Sequence, residues 1–194
     1  MQYILQILRE RLPRNISDDF IEEMVLNSKL TYLKRNDILV RDGETKRSVY
    51  LILNGSIERI VITQSGEKKT MMFYTSDFKF FLACYDSYFL NIKTEYFLIA
   101  NEPTQVLEFS YDFIDNSRTT NIEFYRFYTH YMEKIYTENE MFRNKLISLD
   151  SEKYLEWLYA NYSFLFRIFS SKSIASFMGI TPEWLSHLKR KLIS

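Results

Sequence analysis

The spacing of hydrophobic and polar positions changes three times along the chain. In the first 29 residues, apolar side chains recur at helical spacing and predict a helix that Pro13 ends. Ser17 is then the predicted cap of a second helix, because Asp18 and Asp19 fall in its first turn, where the helix dipole favours negative charge. The chain is therefore predicted to open with two helices. The apolar face of the first comprises Ile4, Leu5, Leu8 and Leu12.

Residues 30–110 have the short apolar runs and polar turns that are typical of β structure. The segments VYLILN and SIERIVIT are rich in β-branched and aromatic residues and flank Gly55. Ser65 and Gly66 form a hairpin signal after the second segment. A last apolar run that ends at Phe109 predicts a closing strand. Short strands at this spacing predict a sandwich or a barrel-like roll.

The stretch 119–149 contains no glycine and no proline, and its apolar positions alternate by three and four. This spacing is typical of a coiled-coil seam and predicts a dimerisation helix. Asn139 falls on a core position of that seam, where a buried amide favours one register of a parallel dimer. An amphipathic helix packed on its own domain gives the same spacing, so both interpretations stay open, and so does a surface position for Asn139. The predicted seam consists of Tyr125, Tyr128, Met132, Ile135, Asn139, Phe142 and Leu146.

Residues 150–194 predict a small helical domain that ends in a helix-turn-helix. Ile174, Ala175 and Met178 share one face of a short helix. Gly179 ends that helix, because glycine accepts the positive φ that such a turn requires. The small side chain of Ala175 allows a second helix to cross closely.

The second helix is predicted to begin at Thr181 and Pro182. The threonine side chain suits the capping position, and proline suits the first helical position, where its missing N–H is not needed. The outward side of this helix carries Glu183, Ser186, His187 and Arg190, which matches the way recognition helices present side chains to base edges. The predicted inward row consists of Trp184, Leu185, Leu188 and Leu192.

The distribution of charge supports contact with DNA at this end. The formal net charge of the whole chain is zero, whereas the residues from Arg167 onward hold five cations and one acid. A basic end suits contacts to phosphates, which supply affinity without sequence information. Glu183 is suited to accept a hydrogen bond from a cytosine amino group. The predicted DNA-binding residues are Lys172, Thr181, Glu183, Ser186, His187, Lys189, Arg190 and Lys191.

The remaining composition restricts the chemistry. Cys84 is the single cysteine, so we interpret it as a small buried hydrophobe and not as part of a disulfide or zinc site. The two histidines, His130 and His187, give little support for a haem or metal site, and no cofactor is expected. The chain has no long apolar run and none of the common enzyme motifs, and its first residues do not have the pattern of a signal peptide. We therefore expect a cytoplasmic protein that is neither an enzyme nor bound to a membrane.

The order of these segments resembles the cyclic-AMP receptor/Fnr (Crp/Fnr) family of bacterial transcription regulators. The segment RDGETKRSVYLILNGSIERI is similar to the family's sensor roll, with Gly43 and Gly55 at its turn glycines, and GITPEWLSHLKRKL is similar to its recognition helix. The resemblance implies an α+β fold. This fold has a cyclic-nucleotide-binding-like β-roll (jelly roll) with N-terminal helices over 1–110, a dimerisation helix over 111–149 and a helix-turn-helix (winged-helix-like) domain over 150–194. It also implies double-stranded DNA and a second copy of the chain as partners.

One departure from the family pattern concerns the ligand. The family's phosphate cassette has a Gly-Glu pair followed by an arginine, whereas Phe80 and Phe81 stand at the pair and no arginine occurs between Arg59 and Arg118. Lys93 is the only nearby cation and lacks the bidentate fork of arginine, so we expect no response to cyclic AMP. The two phenylalanines either fill the pocket with core or, together with Lys93, line a pocket for an unknown small-molecule effector.

A second departure concerns the recognition helix. Pro182 and His187 stand where the family often has arginine, which predicts a different operator. It also motivates a competing interpretation, in which the chain is an effector-binding or protein-interaction module whose helix-turn-helix has lost DNA binding. We favour the homodimeric transcription regulator that reads DNA with the helix 182–193.

Overall fold

The structure is a computed structural model that describes the backbone of residues 1–193 and the side chains of residues 1–192. Ser194, the last residue of the predicted DNA-binding domain, lies outside the described residues. In the described part of the chain the elements are, in order, α1 (Gln2–Arg11), α2 (Asp18–Leu26), β1 (Ser28–Leu33), β2 (Ile38–Val40), β3 (Ser48–Asn54), β4 (Ser56–Ile62), β5 (Lys68–Thr75), β6 (Phe81–Ala83), α3 (Tyr85–Leu90), β7 (Phe97–Ala100), β8 (Thr104–Ser110), α4 (Tyr111–Thr120), α5 (Ile122–Ser148), α6 (Ser151–Tyr162), α7 (Leu165–Ile168), α8 (Ser171–Phe177) and α9 (Pro182–Ile193).

The two N-terminal helices form where the pattern predicts them. Ser17 caps α2, since its Oγ accepts a hydrogen bond from the backbone N–H of Phe20 at 3.3 Å. Leu8 on α1 and Met24 on α2 are fully buried. These helices therefore cover one face of the strands that follow.

The strands form two antiparallel four-stranded sheets with the orders β1-β8-β3-β6 and β2-β7-β4-β5. The predicted hairpin is the pair β4–β5. Gly55 joins β3 to β4 with a φ of +93°, and a Cβ there would lie 2.7 Å from the carbonyl oxygen of Pro103. Both the backbone conformation and the space therefore require glycine at this corner of the predicted roll.

β3 contributes to two hydrophobic cores, one on each face of its sheet. Tyr50 and Ile52 belong to a core that lies inside the roll and continues into the C-terminal helices. Val49 and Leu51 belong to a second core, formed with α1, α2, α4 and the first half of α5. Because successive residues of a strand point to opposite faces, burial on both faces explains why VYLILN is a continuous apolar run.

The region predicted as one dimerisation helix is two helices. α4 ends at Thr120 and α5 begins at Ile122. Between them Asn121 has an extended backbone, and its Oδ1 accepts hydrogen bonds from the backbone N–H groups of Glu123 and Phe124, both at 3.0 Å. The side chain of Asn121 therefore caps α5 and separates the two helices.

The C-terminal region consists of the four helices α6 to α9. No strand follows β8 in residues 1–193, so the described part of this domain is helical and has no β-hairpin wing. None of the helices in residues 1–193 combines the length and the apolar character that crossing a bilayer requires.

Candidate nucleic-acid interface

The turn between α8 and α9 is a Schellman motif. Gly179 has a φ of +70°, and its N–H donates to the carbonyl oxygen of Ser176 at 3.1 Å. The next N–H, of Ile180, donates to the carbonyl oxygen of Ala175 at 3.0 Å. These two bonds satisfy the last carbonyl groups of α8 and reverse the chain within a few residues. A positive φ at this position favours glycine, as the sequence predicts.

The start of α9 also follows the prediction. The Oγ1 of Thr181 accepts a hydrogen bond from the backbone N–H of Trp184 at 3.2 Å, and Pro182 is the first helical residue. Leu185 and Leu188 are buried, and Ala175 is fully buried where α8 and α9 meet. α8 and α9 therefore pack through the small residue that the sequence indicated.

The predicted inward row of α9 is wrong at Trp184. Its side chain is 46 % exposed, its Nε1–H donates to the Oγ of Ser151 at 3.0 Å, and its ring stacks on His187 at 5.0 Å. Indole needs a partner for its N–H, and the partner lies on α6 at the edge of the helix pair, not in its interior. Trp184 therefore joins α9 to α6 beside the exposed face.

Four side chains predicted to face DNA form one exposed row along α9. Glu183, Ser186, His187 and Arg190 are all exposed, and their spacing of three and four places them on one side of the helix. The buried pair on the opposite side anchors the helix in the C-terminal core. The row is therefore accessible to a macromolecule.

The predicted phosphate-binding cations differ in what they contact. The Nζ of Lys189 lies 3.2 Å from the Oγ of Ser171 and 5.2 Å from the ring centre of Phe166, and burial lowers its pKa. Lys191 pairs with Glu152 at 2.6 Å, and the hydrogen bond with this carboxylate raises the lysine pKa. These two cations therefore already have partners within the C-terminal helices.

Arg190 and Lys172 are the cations that remain most available. Both are exposed, and among the described residues neither forms an ion pair. The Nε of Arg190 only approaches the carbonyl oxygen of Ser186, at 3.4 Å, within its own helix. Arg190 lies in the exposed row, and Lys172 lies in the first turn of α8.

The helix-turn-helix is docked on the roll through α8. The ring of Phe73 on β5 lies 4.3 Å from that of Phe169 and 5.1 Å from that of Phe177. The backbone N–H of Thr70 donates to the Oγ of Ser176 at 2.9 Å. The exposed row on α9 takes no part in this contact.

Glu58, which the sequence did not single out, is the polar centre of that contact. Its carboxylate accepts hydrogen bonds from the hydroxyl groups of Ser173 on α8 at 2.9 Å and Thr70 on β5 at 3.2 Å. Burial raises the pKa of Glu58, and the two hydroxyl groups oppose that change. The carboxylate of Glu58 therefore holds α8, the first helix of the helix-turn-helix, against the roll.

The predicted effector pocket at Phe80, Phe81 and Lys93 is largely closed. The Oη of Tyr131 on α5 accepts from the N–H of Phe81 at 2.9 Å and lies 3.2 Å from its carbonyl oxygen. The cavity next to Phe81 has a volume of about 30 Å³ and an aromatic lining, which is room for roughly one or two waters. Lys93 is exposed and does not line this cavity.

Lys79, the residue before Phe80, connects the roll to α5, and no sequence pattern indicated this role. Its side chain is 1 % exposed, and its Nζ donates to the Oδ1 of Asn139 at 2.8 Å and lies 3.3 Å from a carboxylate oxygen of Glu138. Burial lowers the pKa of Lys79 to about 8, although Glu138 opposes that change. Asn139 is therefore bound within its own chain.

A larger cleft lies where β5, α5, α6 and α8 meet, with a volume of about 350 Å³. Arg59 and Tyr154 line it, and the Nε of Arg59 and the hydroxyl group of Tyr154 are buried without a hydrogen-bond partner. Its size and its unsatisfied polar groups suit a small ligand better than the closed space at Phe81 does.

The predicted dimer seam is divided between two faces of α5. Ile135 and Phe142 are buried within the chain, and Tyr128 packs on its second core. These three side chains do form an apolar face of α5, but this face packs on the chain's own roll and C-terminal helices. Tyr125 and Leu146 are exposed. Tyr125 also belongs to a second row at heptad spacing, which we call the outer apolar stripe and in which one residue, Thr129, is polar. The stripe consists of Ile122, Tyr125, Thr129, Met132 and Tyr136, of which Ile122, Tyr125 and Tyr136 are exposed.

Comparisons by sequence find no matching protein-family model and no similar curated protein. Solved structures do match. A CooA variant from Carboxydothermus hydrogenoformans superposes with a TM-score of 0.73 and 15 % identity, over 97 % of this chain and 83 % of that one. The c-di-GMP-responsive global regulator CLP from Xanthomonas campestris gives 0.70 and 14 %, over 91 % of each chain. FixK2 from Bradyrhizobium japonicum gives 0.70 and 12 %, over 85 % of this chain and 84 % of that one. The chain therefore has the fold of the Crp/Fnr transcription regulators.

Proposed function

We propose that the chain is a homodimeric transcription regulator that binds double-stranded DNA with α9. The observation that carries the proposal is the exposed row on α9, from Glu183 to Arg190, on a helix whose opposite face is anchored by Leu185 and Leu188. A helix presented in this way fits the major groove. The regulator role is supported by the structural neighbours, which are transcription regulators and not enzymes.

The proposal includes no response to cyclic AMP. The N–H of Phe81, at the start of the segment where the family binds phosphate, is bonded to Tyr131 of α5. The adjoining cavity of about 30 Å³ is far smaller than a nucleotide, since ligand sites usually enclose about 300–1,000 Å³. A small-molecule effector would instead bind in the cleft at Arg59 and Tyr154.

The proposal also includes a dimer through the outer apolar stripe of α5. Ile122, Tyr125 and Tyr136 are exposed large apolar residues on one helix. Exposed apolar rows at heptad spacing are the usual seam between two helices. Two chains paired there would carry two copies of α9, and a regulator of this kind reads two half-sites about 34 Å apart.

The test is a fluorescence-anisotropy titration of a duplex of mixed sequence, because phosphate contacts do not depend on sequence. The wild-type chain is expected to bind at low salt, with the logarithm of the binding constant falling linearly with the logarithm of salt concentration. Arg190→Ala removes one phosphate contact from each chain, so the slope should become shallower by about 0.9 per chain.

Arg14→Ala is the matched control, because Arg14 is an exposed arginine in the loop between α1 and α2. It should leave both the affinity and the slope unchanged. A wild-type chain that binds no duplex even at low salt would contradict the proposal and favour the effector-binding or protein-interaction module.

A further inference from the structure

A basic hairpin of the roll lies beside the helix-turn-helix. Lys68 and Lys69 are the first two residues of β5, and Glu67 separates them from the turn glycine Gly66. A cleft of about 510 Å³ separates this hairpin from the C-terminal helices. The two lysines line one side of it, and Lys172 and the turn from Gly179 to Pro182 line the other. The roll therefore takes part in a surface that also includes the beginnings of α8 and α9.

The charge of this cleft is mostly uncompensated. Its lining has three lysines and one carboxylate, that of Glu67. Lys69 pairs with Glu67 at 2.8 Å, with both side chains at the surface, where solvent and salt weaken such a pair. In residues 1–193, neither Lys68 nor Lys172 forms an ion pair. The cleft therefore attracts anions.

The two sides of the cleft are held in a defined relation by the contact already described between β5 and α8. The hydrogen bond from Thr70 to Ser176 joins the residue that follows Lys69 to a residue lining the cleft. The contact between Phe73 and Phe177 lies three residues further along β5. The backbone that carries the two hairpin lysines is therefore held in a fixed position relative to α8, and binding of a partner would not have to order this backbone.

We propose that the β4–β5 hairpin is part of the DNA-contacting surface, and that Lys68 and Lys69 bind the phosphate backbone together with Lys172. In a helix-turn-helix the first helix crosses the backbone while the second enters the major groove. A duplex on the exposed row of α9 would therefore bring a backbone strand past the beginnings of α8 and α9, where the cleft opens. This inference rests on the proposed function and adds the roll to its interface.

The test uses the full chain and the same duplex of mixed sequence. The variant Lys68→Ala with Lys69→Ala removes two phosphate contacts from each chain, so the salt slope should become shallower by about 1.8 per chain. The matched control, Arg14→Ala with Lys29→Ala, removes two exposed cations from the N-terminal loop and from β1, a strand of the other sheet. It should leave the slope unchanged.

Glu67→Gln separates a DNA contact from a structural role of the lysines. It removes the carboxylate from the cleft and releases Lys69, so binding should become tighter and the slope steeper. If the wild type binds and the double lysine variant keeps the same slope, this inference is overturned while the proposed function stands. If Arg190→Ala also has no effect, or the wild type does not bind, the proposed function falls and this inference with it.

Discussion

At the residue scale, single polar groups join parts of the chain that are far apart in sequence. Glu58 accepts hydrogen bonds from hydroxyl groups on β5 and α8. Lys79 donates a hydrogen bond to Asn139 and forms an ion pair with Glu138, both on α5. Buried ionisable groups are costly unless they have partners. Each of these therefore stabilises one arrangement of the roll relative to the helices.

Lys79 leads to a prediction about pH. Its pKa of about 8 lies below the ordinary value of 10.5, because burial disfavours the charged form. Between these two values the unfolded chain binds more protons than the folded chain, so this lysine makes stability rise with pH across that window. In Lys79→Met the contribution is absent. The wild type should therefore gain free energy of unfolding relative to the variant as the pH is raised above 8.

The measurement is chemical denaturation of both proteins at a series of pH values on either side of 8. Cys84 and the tyrosines also titrate in alkali, but they are present in both proteins, so their effects cancel in the difference. A difference in free energy of unfolding that does not change with pH would show that the ammonium group of Lys79 is not desolvated.

At the scale of elements, the α8–α9 pair depends on how closely its helices approach. Ala175 is fully buried and belongs to the same hydrophobic core as Leu185 and Leu188. The Schellman turn determines where α8 ends, and the cap at Thr181 determines where α9 begins. Little room therefore remains for a larger residue between the two helices.

Ala175→Leu should lower the free energy of unfolding by about 1–3 kcal/mol, because extra methylene groups in a filled core force side chains and backbone to move. The control is Ala160→Leu, at an exposed position of α6, which should change stability by less than about 0.5 kcal/mol. Urea denaturation measures both. Equal stability of the two variants would mean that the helices are loosely packed.

At the scale of the whole molecule, the outer apolar stripe of α5 is the surface that we assign to a second chain. Tyr136, the last residue of this stripe, is 68 % exposed. Tyr136→Asp would place a charge in the proposed seam, where burial without a partner is unfavourable. Sedimentation velocity should show a dimer for the wild type and a shift towards monomer for this variant.

The matched control is Tyr32→Asp, because Tyr32 is 67 % exposed and lies on β1, outside α5. This variant should sediment like the wild type. A wild-type chain that stays monomeric at all concentrations would contradict the proposed seam.

Most local signals of this protein could be read from its sequence alone, although the cap at Asn121 that separates α4 from α5 was not among them. The cap at Ser17, the turn glycines, and the Gly179, Thr181 and Pro182 signals all form where they were predicted. Such signals act between residues a few positions apart, so they do not depend on the rest of the fold. The order of helices, roll and helix-turn-helix follows from them.

The pairing of surfaces, in contrast, follows only from the folded chain. α5 carries two apolar stripes at the same spacing, and only packing on the roll shows that Phe142 points inward while Tyr136 points outward. Trp184, Glu58 and Lys79 acquired their roles from partners at least 12 residues away. The spacing of residues along the chain shows which positions are apolar or charged. Which residue each of them contacts depends on how the whole chain folds.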